Sequence, residues 1–343
     1  MIDPKNNASF DGHEQVVFVG GESQGYAGIV AIHSTAIGPA AGGCRIWDYD
    51  SADDALTDAL RLSRGMTYKN AMADLPLGGG KAVIYRINTD RVDAFQKFGE
   101  AVEALQGRYI TAEDVGAGVA DMRAIAGRTT YVAGIPKEHG QAGGDPSPMT
   151  ALGTFVSIKA LLGGSVQGRT IAVQGVGNVG FNLCKLLSEE GAKLVVADVN
   201  KANLQRAEAF GVEIAPVDQI HAVKADVFSP CALGAGLNPT TIPELGAPIV
   251  CGAANNQLAT EADGQRLVER GITYAPDYVV NAGGIINVSA EYLGEAADVV
   301  EARVRAIAPR VLRVLDIARS DNITPQAAAD RIVREKLAAA SKG

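Results

Sequence analysis

Lys69 and Lys81 stand 12 residues apart in a stretch otherwise dominated by apolar residues and glycine, and two adjacent carboxylates, Glu113 and Asp114, follow further along the chain. A lysine taken out of water, with another cation nearby, sheds its proton more readily and can then act as a base. Three segments around these groups break the rules for ordinary elements: Gly38-Pro-Ala-Ala-Gly42-Gly43-Cys44-Arg45, Pro76-Leu-Gly78-Gly79-Gly80-Lys81 and Thr111-Ala112-Glu113-Asp114-Val-Gly116. Glycines beside a titratable group mark places where a ligand meets the backbone. The bland alternatives are two surface lysines and a carboxylate that caps a helix or pairs with a base. Spacing leaves the choice between Glu113 and Asp114 open.

A second constellation is more local. Arg169-Thr-Ile-Ala-Val-Gln-Gly175-Val-Gly177-Asn178-Val179-Gly180 places three glycines between an apolar run and a helical pattern. Gly175 permits a tight turn, Gly177 lets backbone approach a pyrophosphate, and Gly180 lets helix and strand pack closely. The first amides of that helix would hold the phosphate charge. Asp198 closes the next predicted strand, 18 residues beyond Gly180. Its carboxylate suits the ribose hydroxyls and repels a 2′-phosphate, which points to NAD over NADP. A helix cap is the competing role for Asp198.

The elements that must position these groups follow from periodicity. Val16–Val19 and Ala27–His33 read as early strands, joined through a turn at Gly20–Ser23. Asp53–Ala73 is helical, with Asp53 and Asp54 at its positive end. Lys81–Tyr85 reads as a strand after a glycine run, Val92–Leu105 as a helix, Gly107–Thr111 as a strand and Ala120–Gly127 as a helix. Composition changes to Gly, Pro, Asp and His over Gly134–Pro148, the expected linker. Beyond it, Thr150–Leu162 is helical, and Thr170–Gln174, Asn178–Glu190 and Lys193–Asp198 form a strand–helix–strand unit. Strand and helix then alternate through Lys201–Phe210, Val227, Pro248–Cys251, Glu261–Arg270 and Thr273–Ala275, the signature of a parallel sheet covered on both faces. Asp298–Ala318 reads as one helix, and Thr324 before Pro325 opens another to Ala340.

At 343 residues, two domains are expected. The formal charge of −8, without a basic run, argues against nucleic-acid and anionic-membrane surfaces. Met1–Phe10 lacks the apolar core of a signal peptide, and no apolar run approaches a bilayer span. A cytoplasmic protein is expected. The four cysteines and four histidines are scattered, so reduced thiols and no metal are expected.

Taken together, Gly38–Gly43, Gly65-Met-Thr-Tyr-Lys69-Asn, Leu77–Lys81, Ile110–Gly116, Pro230-Cys231-Ala232-Leu-Gly-Ala, Gly252-Ala253-Ala-Asn255-Asn-Gln-Leu and Tyr274–Gly284 closely resemble the glutamate/leucine/phenylalanine/valine dehydrogenase family, above all its short leucine and phenylalanine members. The resemblance runs in order over nearly the whole chain. It implies an α/β chain of two domains: an N-terminal α/β substrate domain and a doubly wound Rossmann domain, with a cleft between them. Residues 1–135, joined by the helix at about 325–343, would form the first, which also carries oligomerisation; 146–324 would form the second.

The resemblance also implies roles. Lys69 would pair with a substrate α-carboxylate, beside the Gly42 and Gly43 backbone. Lys81 would be the general base, and Asp114 would shuttle protons and stabilise an iminium. Thr150 would hold the nicotinamide amide, while Cys231, Ala232, Ala253, Asn255 and Asn281 line the cofactor and substrate site. The implied reaction is reversible conversion of an L-amino acid, with NAD and water, to a 2-oxo acid and ammonium. Ala41, Ala112 and Val288 would line the side-chain pocket. Glutamate-specific relatives carry lysine where Ala41 stands, so a γ-carboxylate would be unpaired here. Alanine at this position looks more like the phenylalanine-type enzymes, whereas the segments around Lys69 and Asp114 lean towards the leucine type. Apolar substrates such as leucine, valine and phenylalanine are therefore expected. The alternatives are an N-substituted amino acid and a non-catalytic NAD-binding regulator. A homo-oligomer is implied, with the strand near Val16–Val19 as a contact.

Overall fold

The computed structural model describes residues 2–135, 144–232 and 234–341. Most of the expected linker, Leu233 of the Pro230–Ala235 motif and the last two residues lie outside them. Contacts divide the chain into two units, Met1–Gly144 with Val288–Ala297 and Val333–Gly343, and Asp145–Asn287 with Asp298–Ile332. Relative to the expected boundaries, the final crossing falls at Val333 and not at residue 325, and Val288–Ala297 groups with the first unit.

In the first unit, β1 (Gln15–Gly21) and β2 (Tyr26–Ser34) form an antiparallel hairpin with Val17 opposite Val30. β3 (Ala40–Ala41) and β4 (Cys44–Ile46) both run parallel to β5 (Gly78–Ile87), which is antiparallel to β2, and β6 (Tyr109–Ile110) closes the sheet against β3. Strand alternation sorts the side chains onto two faces. Ile29, Ala31 and Val83 pack with Ala55, Leu56, Ala59 and Leu60 of α1 (Ala52–Met72). Val30, Ile32, Ala82 and Ile84 pack with Phe95 and Phe98 of α2 (Arg91–Glu103) and Met122 and Ile125 of α3 (Val119–Ala126). α1 starts where Ser51 Oγ accepts from the Asp54 amide at 3.1 Å, and its two first-turn aspartates complement the dipole.

The expectation that the glycine run precedes the strand is corrected: Gly78, Gly79 and Gly80 are the first three residues of β5. A Cβ on Gly79 would lie 2.0 Å from the Thr67 amide nitrogen of α1, and one on Gly80 would lie 2.7 Å from the Tyr109 ring. Both faces of the strand are approached too closely for any side chain.

In the second unit, α4 (Ser147–Leu161) precedes β7 (Thr170–Gln174), α5 (Asn178–Glu189), β8 (Lys193–Ala197), α6 (Lys201–Ala207) and β9 (Glu213–Ile214). β10 (Val227–Pro230), β11 (Ile249–Val250), α7 (Glu261–Glu269), β12 (Thr273–Tyr274) and α8 (Asp277–Val280) follow. The sheet order is β12-β11-β10-β7-β8-β9, every pair parallel. Strand order reverses between β7 and β10, and the crevice beyond their carboxyl ends is where such sheets take ligands.

α9 (Gly283–Leu293), α10 (Ala297–Arg305), α11 (Ile307–Asp321) and α12 (Pro325–Ala340) complete the chain. The single helix expected over Asp298–Ala318 is thus broken at Ala306. Pro309 explains it: its ring would clash with the carbonyl of Arg305 in a continuous helix, whereas in the first turn of α11 its missing N–H is harmless. α12 opens as expected, Thr324 Oγ1 accepting from the Ala327 amide at 3.2 Å. Among the described residues, no helix is long and apolar enough to cross a membrane, and no group of three or more His, Cys, Asp or Glu side chains could hold a metal.

Candidate active site and cofactor turn

Lys81 is the fourth residue of β5, and alternation puts it on the same face as Gly79 and Val83, towards α1. It is 5% exposed. Its Nζ meets Asp114 Oδ2 at 2.5 Å. Asp114 follows β6, and the two segments are brought together by Cys44, which pairs with Ala82 on one side and Glu113 on the other. Burial pulls the Lys81 ammonium below its ordinary pKa, against the opposing charge of Asp114. Burial also works against the Asp114 carboxylate, but Lys81 and then Arg45 outweigh it and hold the group below the usual carboxylate range. The structure therefore separates the two acidic neighbours. Asp114 faces the lysine, while burial, helped by the charge of Glu291, pushes the Glu113 carboxyl up.

Lys69 is half-buried in the last turn of α1. That turn is stitched to β5: Thr67 occupies the space beside Gly79, and Asn70 Nδ2 donates to the Gly78 carbonyl at 2.6 Å. The lysine pair is thus carried by two adjoining segments. Gly42 and Gly43 have a packing reason to be glycine, since Cβ atoms there would lie 1.8 Å from the Gly80 carbonyl oxygen and 2.4 Å from that of Glu113. Tyr109, fully buried, donates from its hydroxyl to the Gly42 carbonyl at 2.6 Å. Ala41 is buried in β3, Ala112 is half-buried with its carbonyl on the Cys44 amide at 2.8 Å, and Val288 is half-buried on α9.

Sequence reasoning missed Asn70 and Arg45, although each adjoins a residue it singled out. Arg45 Nε donates to Asp114 Oδ2 at 3.2 Å and its Nη1 to Asp58 Oδ2 at 2.9 Å.

In the second unit the Gly175–Gly180 turn joins β7 to α5. Gly175 has φ +88° and would drive a Cβ to 2.8 Å from that of Ala232; a Cβ on Gly180 would lie 2.0 Å from the Gly175 carbonyl oxygen. The fold itself requires both glycines. Gly177 differs, because a Cβ there would meet nothing within 4 Å. It is the N-cap of α5 and offers no side-chain cap, leaving the first amides of that helix open to an anion.

Residues 13–131 match the Glu/Leu/Phe/Val dehydrogenase dimerisation-domain model, and residues 144–201 and 196–342 match the Glutamate/Leucine/Phenylalanine/Valine dehydrogenase model. The chain belongs to this family. It is an amino-acid dehydrogenase, an oxidoreductase of a family that is NAD(P)-dependent. The chain is 49% identical to the leucine dehydrogenase of Bacillus subtilis over 335 residues, 95% of this chain and 91% of the relative. It is 43% identical to the valine dehydrogenase of Streptomyces virginiae over 339 residues, 95% and 94% of the two chains. The crystal structure of L-tryptophan dehydrogenase from Nostoc punctiforme superposes with a TM-score of 0.88 at 41% identity, covering 97% of this chain and 98% of that one.

For the dehydrogenase, the residues beyond the switch point fit a dinucleotide. Asp198 Oδ2 accepts from the Val176 amide at 2.8 Å, and its Oδ1 accepts from the Asn200 amide at 2.7 Å. It therefore braces the glycine turn, while Asn200 caps α6 by accepting from the Ala202 amide. Cys231 and Ala232 follow β10 directly opposite the turn, the Cys231 amide donating to the Gln174 carbonyl at 2.7 Å. Asn281 is buried and donates to the Ala253 carbonyl at 3.1 Å and to Asn255 Oδ1 at 2.7 Å. Its own Oδ1 is buried without a partner, as expected of an acceptor kept for a bound amide or hydroxyl. Thr150, in the first turn of α4, donates from Oγ1 to the Pro146 carbonyl at 3.0 Å. Asn178 and Val179 are the first two residues of α5.

Proposed function

We propose that the enzyme oxidatively deaminates large apolar L-amino acids to 2-oxo acids, with NAD preferred over NADP. The observation that carries the reading is the buried Lys81–Asp114 pair, a base with a lowered pKa held against an ionised carboxylate. The balanced reaction is L-amino acid, NAD+ and water to 2-oxo acid, ammonium, NADH and a proton. The nicotinamide, when bound, supplies the hydride acceptor. The chain supplies binding and proton traffic. Lys69 anchors the substrate carboxylate beside the Gly42 and Gly43 backbone. Neutral Lys81 accepts the amine proton, releases it to solvent as the proton of the overall balance and, neutral again, deprotonates the water that adds to the iminium carbon. Asp114 stabilises the iminium and relays to nitrogen the proton that Lys81 took from water. Lys81 then takes the hydroxyl proton as the carbonyl forms, the C–N bond breaks with ammonia as leaving group, and that proton leaves with it as ammonium.

Ala41, Ala112 and Val288 supply an apolar wall without a cation for a γ-carboxylate, which supports leucine-like and aromatic substrates over glutamate. Asp198 beside the turn supports NAD, because a 2′-phosphate would meet its carboxylate. Residues 13–131 match a dimerisation domain, and β1 lies at a sheet edge with Phe18 exposed. Both support a homo-oligomer using that edge. Substrates and cofactor of this kind are cytoplasmic metabolites, which supports a cytoplasmic enzyme.

The test is the ratio of kcat/KM for leucine, valine, phenylalanine and glutamate with NAD and with NADP, followed by NADH absorbance. Apolar substrates with NAD should lead. A preference for glutamate, or for N-alkylated amino acids, would overturn the substrate assignment.

A further inference from the structure

Asp114 Oδ2 is shared by two cations, Lys81 Nζ at 2.5 Å and Arg45 Nε at 3.2 Å. The far side of the guanidinium is itself fixed: Nη1 donates to Asp58 Oδ2 at 2.9 Å, and the Tyr49 hydroxyl donates to that same oxygen at 2.5 Å. Asp58 comes from α1, Arg45 from β4 and Tyr49 from the segment between them. Their side chains lie beside a surface groove that also presents Trp47, Arg61 and Val115. The chain of contacts from Tyr49 through Asp58 and Arg45 ends on Asp114.

We propose that Arg45 is a positioning residue for the reaction: it aims Asp114 at Lys81 and favours its carboxylate form when the lysine is neutral, so that Asp114 carries a proton only while passing it to the substrate nitrogen, with Asp58 and Tyr49 locking the guanidinium. This rests on the roles given above to Lys81 and Asp114. A base must be neutral to work, and when Lys81 is neutral it no longer stabilises the carboxylate 2.5 Å away. A largely buried carboxylic acid facing a neutral amine would take up the proton and leave the amine hydrogen-bonded and blocked. Arg45 prevents this because a guanidinium stays charged at any working pH. Two of its N–H groups meet two different carboxylates at a fixed angle, which an ammonium cannot reproduce.

The groups that act on the pair are few. Lys81 faces Asp114, Arg45 and the Cys44 thiol. Asp114 faces Lys81, Arg45 and the Val115 amide. Arg45 faces Asp114, Asp58 and Tyr49, with Asp54 and Arg61 across the groove. Asp121 and Arg91 act from α3 and α2 through Cys44. The buried Tyr109 hydroxyl lies beyond. Of these, Arg45 is the like charge that disfavours protonated Lys81, so its removal must raise the lysine.

The experiment compares kcat/KM against pH for wild type, Arg45→Gln, Arg45→Lys and Lys81→Ala, with circular dichroism and NADH affinity as checks on the fold. Arg45→Gln should move the acid limb up by about one pH unit and lower kcat. Arg45→Lys should recover the limb without recovering kcat, because the charge returns and the fork does not. An unmoved limb in folded Arg45→Gln, while Lys81→Ala abolishes turnover, overturns the role of Arg45 alone. Undiminished turnover in Lys81→Ala overturns the underlying assignment of the base, and this role with it. If Arg45→Gln does not fold, Tyr49→Phe carries the test, since it removes only the hydroxyl that holds Asp58: a several-fold lower kcat supports the role, and an unchanged kcat overturns it.

Discussion

Lys81 and Asp114 meet at 2.5 Å from opposite sides of the strand that carries Cys44, one following the glycine start of β5 and the other the end of β6. The pair depends on that strand holding two separate backbone segments at one spacing. Replacing Lys81 by alanine removes the proposed base but leaves Asp114 paired with Arg45. Turnover should fall by about 10²–10⁴-fold with little change in melting temperature. Steady-state assays beside a thermal melt check this, and equal rates in mutant and parent would remove Lys81 from its role.

Asp114→Asn should act on pH in the direction opposite to Arg45→Gln. The Asp114 carboxylate raises the Lys81 pKa against the dominant lowering by burial. Without it the amine loses its proton at still lower pH, and the acid limb of kcat/KM moves down. The plateau kcat should fall about 10²-fold through loss of proton transfer. A pH–rate profile of the variant separates the two effects.

Two neighbouring glycines should respond differently to alanine. Gly180→Ala drives a Cβ to within 2.0 Å of the Gly175 carbonyl oxygen and should destabilise the fold by about 1–3 kcal/mol. Gly177→Ala meets open space and should melt like the parent. Its Cβ stands where backbone would approach a pyrophosphate, so NADH affinity should drop at least tenfold. Calorimetry and fluorescence titration of both variants distinguish packing from binding.

Acid stability should be set in part by His33. It is buried, with Nδ1 on Thr67 Oγ1 at 2.8 Å and the His13 ring edge-on at 4.8 Å. Burial, helped by the charge of His13 and opposed by Asp11, brings its pKa down to about 4. The unfolded chain, with an ordinary histidine near 6.5, binds more protons between these values. The contribution is therefore complete above pH 6.5 and is lost as pH falls towards 4, up to about 3 kcal/mol. Urea unfolding at several pH values should show this slope in the parent and a shallower one in His33→Gln.

The cofactor turn was legible in the residues alone because its information is local. A strand, three glycines and a helix lie within a dozen positions, and Asp198 follows at the end of the next strand. The same locality made α1, α5 and α12 readable from their caps and periodicity. The break at Ala306 was also written in the chain, in Pro309, but the apolar spacing on either side masked it. The glycines at 78–80 were misread for a different reason. Gly79 is demanded by Thr67 of α1 and Gly80 by Tyr109 of β6, contacts that join residues far apart in the chain and leave no periodic trace.

The Lys81–Asp114 pair lies between these extremes. Residue types marked Lys81 and left Glu113 and Asp114 equal, because adjacent residues share every local signal. Tertiary structure decided between them, since β4 lies beside both β5 and the segment after β6 and turns Asp114 towards the lysine. It also supplied Arg45, Asp58 and Tyr49, whose partners lie on another helix or past a distant strand. The motifs in the sequence, through their resemblance to the family, pointed to the chemistry proposed for the two sites. Which carboxylate the lysine meets, and what keeps that carboxylate charged, were fixed by packing across the sheet, where distance in sequence carries no information about distance in space.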